Sequence, residues 1–147
     1  MIRRFLIKEF PEGMDQIQPY PMQHFVHCFK PAMYYVQNND QFSMIYEGTS
    51  VTGGQHVELK LTFDKYAHDR YKAVGCHYDR DRYPIPLEDG RTAFVDYCRT
   101  PYPGMQFIEM EFDDEADAAA FAPPAWFGKE MTENPEFSFL QICHAPV

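Results

Sequence analysis

The sequence is short of positive charge. Its 13 lysines and arginines face 22 aspartates and glutamates, for a net charge of −9. That balance argues against general nucleic-acid binding, which needs basic residues gathered on one face. Long apolar runs are missing as well. None approaches the roughly 20 residues that a membrane span requires, and no apolar run follows the arginines of MIRRFLIKEF as it would in a secretory signal. The four cysteines, Cys28, Cys76, Cys98 and Cys143, show no C-x-x-C spacing. With nothing to mark secretion, they read as free thiols of a cytoplasmic protein. Internal repeats and low-complexity linkers are lacking too. Apolar and aromatic residues are plentiful instead, 45% and 16% of 147 residues, which suits one globular domain over 1–147.

The chain reads as strands joined by turns. Arg3 to Phe10 alternates, with Arg4, Leu6 and Lys8 on one face and Phe5, Ile7 and Glu9 on the other. Met14 to Pro21 reads as a loop or one helical turn. Gln23–Phe29, Met33–Gln37 and Phe42–Tyr46 read as strands, and GTSVTGGQ from Gly48 to Gln55 as a loop. His56 to Phe63 is the cleanest pattern: Val57, Leu59, Leu61 and Phe63 predict a packed face, His56, Glu58, Lys60 and Thr62 a polar one. Asp64 then caps a helix over Lys65 to Val74 whose stripe is Tyr66, Ala67, Arg70, Tyr71 and Val74, with Gly75 at its end. Asp79–Ile85 and Thr92–Cys98 form a hairpin about Glu88-Asp89-Gly90, and Phe137 to Cys143 reads as a last helical segment. The expectation is a mainly β (α+β) fold: about eight antiparallel strands, curved or closed into a barrel, with a few short helices.

Met105 to Pro124 carries the most chemistry. Ile108, Met110 and Phe112 fall on one strand face and Glu109 and Glu111 on the other, where two carboxylates can converge on a hard cation such as Mg2+. The acidic run Asp113 to Asp117 starts a helix that Pro123-Pro124 stops. The strand faces bearing Glu58/Lys60, Arg80/Arg82, Asp96 and Glu109/Glu111 are charged in a chain rich in apolar residues. A barrel with a charged interior explains that, as does an open sheet with one wet face. A different chemistry, a transition-metal site, would draw on His24, His27, Cys28, Cys76, His77, Cys143 and His144. Against it, His24 and His27 lie three apart on a strand and face opposite sides.

Three blocks resemble the CYTH domain of the triphosphate tunnel metalloenzymes. FIEMEF, its acidic-to-alanine helix and PPAWFGKEMTENPEFSFLQI are similar to the family's C-terminal Glu-x-Glu strand, helix and tail. DRDRYPIPLEDGRTAFVDYC is similar to its K-x-R-Y strand, hairpin and x-x-D-x-F strand, and RRFLIKEFPEGM to the stretch that follows its N-terminal signature. The resemblance implies an eight-stranded antiparallel tunnel. Arg4, Lys60, Arg80 and Arg82 would meet phosphates inside it, and Glu109, Glu111, Glu58 and Asp96 would hold Mg2+ or Mn2+. The chain departs from the family at the first strand. Arg4 stands for the signature lysine, Ile2 for its second glutamate, and the chain begins too late for the first. The strand that brings an internal lysine reads Met44-Ile45-Tyr46-Glu47-Gly48, with an acidic or aromatic residue in its place.

With few cations left for a triphosphate, the residue balance favours a degenerate tunnel. It would bind a phosphate-containing or other small anion, or a partner, with weak or no hydrolase activity. The alternative is a metal-dependent phosphohydrolase of inorganic, nucleoside or thiamine triphosphate; a Cys/His transition-metal protein is the third. Trp126-Phe127 reads as core packing, and Tyr34-Tyr35 and Tyr66/Tyr71 as ordinary amphipathic packing residues.

Overall fold

A computed structural model of the chain describes residues 1–29, 32–49, 56–71, 76–100 and 102–132. Nine strands follow in chain order: β1 (Ile2–Ile7), β2 (Tyr20–Phe29), β3 (Ala32–Asn38), β4 (Gln41–Thr49), β5 (His56–Phe63), β6 (Cys76–Pro86), β7 (Thr92–Thr100), β8 (Gln106–Glu111) and β9 (Phe127–Glu130). Helix α1 (Lys65–Tyr71) lies between β5 and β6, and α2 (Glu115–Ala120) between β8 and β9. All nine strands join one sheet in the order β5-β4-β3-β2-β6-β7-β8-β1-β9, with every pairing antiparallel. The expected mainly β fold is thus observed, with one strand more than expected. No helix among the described residues is long and apolar enough to cross a membrane.

The sheet curls. Glu58 and Lys60 of β5, at one end of the strand order, line the same cavity as Ile2 and Arg4 of β1, near the other end. Among the described residues no ladder joins the two ends, so the tunnel is wrapped rather than closed. Period-two alternation sorts the side chains. Outside β1, β6, β7 and β8, the core gathers Phe5, Ile85, Val95, Ile108 and Met110 under Phe112, Ala118, Phe121 and Phe127. Inside, Met22, Tyr34, Val36, Tyr78, Cys98 and Phe107 form a second apolar cluster.

Local rules place the ends of elements as the sequence predicts. Asp64 Oδ1 accepts from the Ala67 amide at 2.7 Å, and Asp114 Oδ1 from the Asp117 amide at 2.7 Å, each filling an orphan donor of a first helical turn. Asn39 adopts φ 55° in the β3–β4 turn, a conformation that asparagine tolerates better than most residues. Arg3 ties three elements together: it donates to the Ala118 carbonyl at 2.7 Å at the end of α2 and pairs with Glu130 of β9 at 2.7 Å.

Ala125 to Glu130, for which the sequence predicts no element, contains β9, too short to announce itself and made a strand by pairing Phe127 with Ile7 and Glu130 with Phe5. Three expectations are corrected. Gly48 and Thr49 belong to β4, because they pair with Val57 and His56. Leu59 and Leu61 are 57% and 54% exposed, so the alternation of β5 is real but its apolar face is packed only in part, where Phe63 meets the ring of Tyr35. Helix α1 buries His68, held against the rings of Phe25 and Phe42, and leaves Tyr66 75% exposed. The expectations for Ser50 to Gln55, for the end of α1 beyond Tyr71 and for Phe137 to Cys143 lie outside the described residues.

Gly128 marks where β9 crowds β1. A Cβ there would stand 2.9 Å from the Leu6 carbonyl oxygen, a backbone atom that cannot turn aside. We expect Gly128→Ala to destabilise the fold by about 1–3 kcal/mol through overpacking. Urea unfolding of the variant beside the parent chain measures this, and equal midpoints would contradict it.

Candidate functional site

The inner face of the sheet encloses a cavity of about 970 Å³. Strand register decides which charges meet inside it. Arg82 of β6 stands opposite Asp96 of β7, and Arg4 of β1 opposite Glu109 of β8. Directly opposed residues share a face, so these pairs follow from the ladder itself.

Arg82 is the hub. Its Nε donates to Asp96 Oδ1 at 2.8 Å, and its Nη2 to Asp96 Oδ2 at 2.8 Å and to Glu109 Oε2 at 2.6 Å. The guanidinium lies 4.7 Å from the centre of the Phe94 ring, a face that holds a cation without hydrating it. Burial works against the Arg82 charge, but Asp96 and Glu109 outweigh it. Glu109 Oε1 accepts from Arg4 Nε at 3.1 Å. Burial alone would raise the Glu109 carboxyl, yet Arg82, Arg4 and Arg80 together hold it far below its ordinary value.

Arg80 has fewer partners of opposite charge. Its Nε lies 3.0 Å from Asp96 Oδ2, a carboxylate already bound by Arg82. Nη1 meets His24 Nδ1 at 2.9 Å, and Nη2 points at the Met22 thioether at 3.3 Å. Guanidinium offers only donors, so Nδ1 of His24 must be unprotonated. Burial and then the charge of Arg80 push the His24 pKa well below its ordinary range, which keeps the ring neutral. Three buried or half-buried arginines therefore face two buried carboxylates, and Arg80 is the cation answered mainly by neutral groups.

The cavity brings together Arg4, Lys60, Arg80, Arg82, Glu58, Glu109 and Glu111 of the expected set. Asp96 differs: it is fully buried behind the lining, with both oxygens bound by arginine. Asp96 is thus engaged by Arg82 and Arg80 rather than set in the cavity lining. Both oxygens of Glu109 are likewise engaged. Glu111 remains open, 58% exposed and 3.9 Å from Arg82, and Glu58 is exposed across the cavity on β5. On β4 the lining residues are Gln41, Phe42, Ser43 and Ile45.

Among the described residues no three His, Cys, Asp or Glu side chains gather as a metal-ion site. His24 faces the cavity, whereas His77 packs edge-on to Phe25 on the other side of the sheet, so the two cannot share a transition metal. The free Cys98 thiol is buried and pushed up to about 11 by that burial, which leaves it protonated. Sequence reasoning missed His24 as a cavity residue and Phe94 as the ring beside Arg82. Their strands and parity were legible, but which arginine each would meet depends on register between strands far apart in the chain.

The comparisons with known proteins agree on architecture. No protein-family model matches the chain. It is 24% identical over 139 residues to a protein of Nitrosomonas europaea named inorganic triphosphatase, covering 92% of this chain and 90% of that one. Two crystal structures superpose on it. One, described as a hypothetical protein, gives a TM-score of 0.70 at 24% identity over 100% of this chain and 99% of the other. The second, described as an inorganic triphosphatase, gives 0.69 at 22% identity over 99% and 98%. At these identities the likeness establishes the fold: a tunnel-like antiparallel β-sheet.

The buried ion cluster sets an expected pH response. Glu109 has a folded pKa below its unfolded one, so its contribution to stability is complete above about pH 5 and is lost as the pH falls through the folded value. Glu109→Gln should cost about 3 kcal/mol near neutral pH, as breaking a buried pair does. Its deficit against the parent chain should shrink as the pH falls from about 5 toward 2. Urea midpoints across that range test the sign, and a deficit that grew on acidification would contradict it.

Proposed function

We propose that the cavity binds a short polyphosphate, inorganic triphosphate foremost, together with a divalent cation, and that the chain acts as a triphosphate hydrolase. The observation that carries this reading is Arg80. It is a buried guanidinium on the cavity wall whose remaining donors rest on a neutral imidazole and a thioether. Such partners are weak for a cation, and an anionic oxygen in the cavity would serve it better. The similarity to a protein named inorganic triphosphatase supports the choice of anion.

The residues present fit a cation that arrives with its ligand. Mg2+ and Mn2+ take oxygen donors, and Mg2+ commonly uses one or two carboxylates plus substrate phosphates and water. Glu111 and Glu58 are the carboxylates open to the cavity, and they would hold it. Bound there, the metal would neutralise phosphate charge and polarise a phosphoryl oxygen. The chain does the rest. Arg80 and Arg82 seat the anion, with Arg4 beside Glu109 and Lys60 across the cavity. His24 holds Arg80 in position, and Met22, Tyr34 and Val36 of the inner apolar cluster line the wall beside them.

A second reading, an anion-binding tunnel with weak or no turnover, is favoured by one observation. Asp96 and Glu109 are already neutralised by arginine, which leaves fewer carboxylates for a metal than the resemblance implies. Phosphoryl transfer rests on positioning and charge neutralisation, so loss of a metal ligand would spare binding more than catalysis.

Thermal unfolding with tripolyphosphate, with and without Mg2+ or Mn2+, tests both readings beside an assay of phosphate release. Ligand at 100 times its dissociation constant should stabilise the chain by about 2.7 kcal/mol. Arg80→Met should abolish the shift, and Glu111→Gln should remove its metal-dependent part. Stabilisation with metal-dependent phosphate release supports the hydrolase, stabilisation without release the binding tunnel. A transition unmoved at millimolar ligand would sink both.

A further inference from the structure

β5 ends the sheet, and among the described residues its outer edge pairs with no strand. An eight-residue edge that is apolar on one face is a template for another strand. On that face Leu59 and Leu61 are more than half exposed. Natural edges are often guarded by an unpaired lysine. Here Lys60 has Glu58 two residues before it on the same face, so the guard carries its own complement.

We propose that β5 is a self-association edge, on which a second copy of this chain adds its own β5 antiparallel about a twofold axis through Leu59. The register follows from charge and face. Pairing about Leu59 sets Glu58 of each copy opposite Lys60 of the other, giving two cross-strand ion pairs, and Leu59 opposite Leu59 on the outer face. Moving the axis to Lys60 would oppose Lys60 to Lys60, and moving it to Glu58 would oppose the two glutamates, both like-charge pairs that destabilise an antiparallel ladder. An axis between residues would set Leu61 opposite Glu58 or a neighbouring polar residue, and so join the charged face of one sheet to the apolar face of the other. Of the registers that match the faces, the one about Leu59 alone opposes Glu58 to Lys60. The interface is isologous, as a twofold pairing requires, and it continues the curled sheet of one copy into that of the next. Glu58 and Lys60 line the cavity rim, so the seam lies beside both cavities.

Sedimentation velocity over a range of concentrations at low salt tests the pairing. The parent chain should reach a dimer. Glu58→Lys and Lys60→Glu should each raise the dissociation constant roughly tenfold, because attractive pairs become like-charge pairs on both sides of the axis. The double variant Glu58→Lys/Lys60→Glu restores opposite charges in the same register and should regain the parent affinity. Under mild oxidation Leu59→Cys should give a cross-linked dimer, since opposed Cα atoms lie about 4.5–5.5 Å apart, within disulfide reach. Leu61→Cys, opposite position 57 instead, should give no more cross-linking than the parent chain with its natural cysteines. A monomer at all concentrations would overturn the proposal. So would a dimer insensitive to the single charge changes, a double variant no better than the singles, or cross-linking at Leu61 in preference to Leu59.

Discussion

Arg82 holds the inside of this sheet together. A single guanidinium spans two carboxylates on two further strands, and its other face rests on the ring of Phe94. Charges buried this deeply are tolerated when their hydrogen bonds are nearly complete, and removing one member leaves the others uncompensated. The cluster also fixes register. A slip of one residue between β6 and β7 would send Arg82 outward among Val95, Ile85 and Met110 and bring apolar side chains into the cavity. The same interaction thus specifies the fold and shapes the candidate site.

That dual role explains why the cavity is less acidic than the sequence suggests. Counted along the chain, Glu58, Asp96, Glu109 and Glu111 look like four metal ligands. In the folded sheet they divide into two groups. Asp96 and Glu109 are consumed by arginine inside the wall, and Glu58 and Glu111 stay open to the cavity. A hydrolase reading must rest on the open pair and on Arg80, whose partners are the weakest in the cluster.

Much of this was legible before any coordinates. Phe107 to Phe112 and His56 to Phe63 announce their strands and faces by strict alternation, and a period of two cannot be mistaken for that of a helix. Asp64 and Asp114 announce their helices through a local hydrogen bond that needs no tertiary context. The charged inner face was legible too, because parity alone puts Arg80 with Arg82 and Glu109 with Glu111. What parity does not carry is distance across the sheet. Whether Glu109 meets a metal or Arg4 depends on β1 lying beside β8, a pairing across about a hundred residues of chain. β9 escaped notice for a related reason: four residues around Gly128 have no pattern of their own and become a strand only against β1. Nor did alternation reveal that Leu59 and Leu61 on the apolar side of β5 would stay exposed, since amphipathicity records a preference and not its satisfaction.

The wall of the cavity has one more consequence. Its buried positive charge resides on guanidinium groups, which do not lose their proton in proteins, and its imidazole is held neutral by burial and Arg80. The positive charge of the wall therefore does not depend on the protonation of His24. A gain or loss of ligand affinity with pH then originates in the ligand's own ionisation, at the rim of the cavity or at Asp96, whose carboxyl burial pushes up.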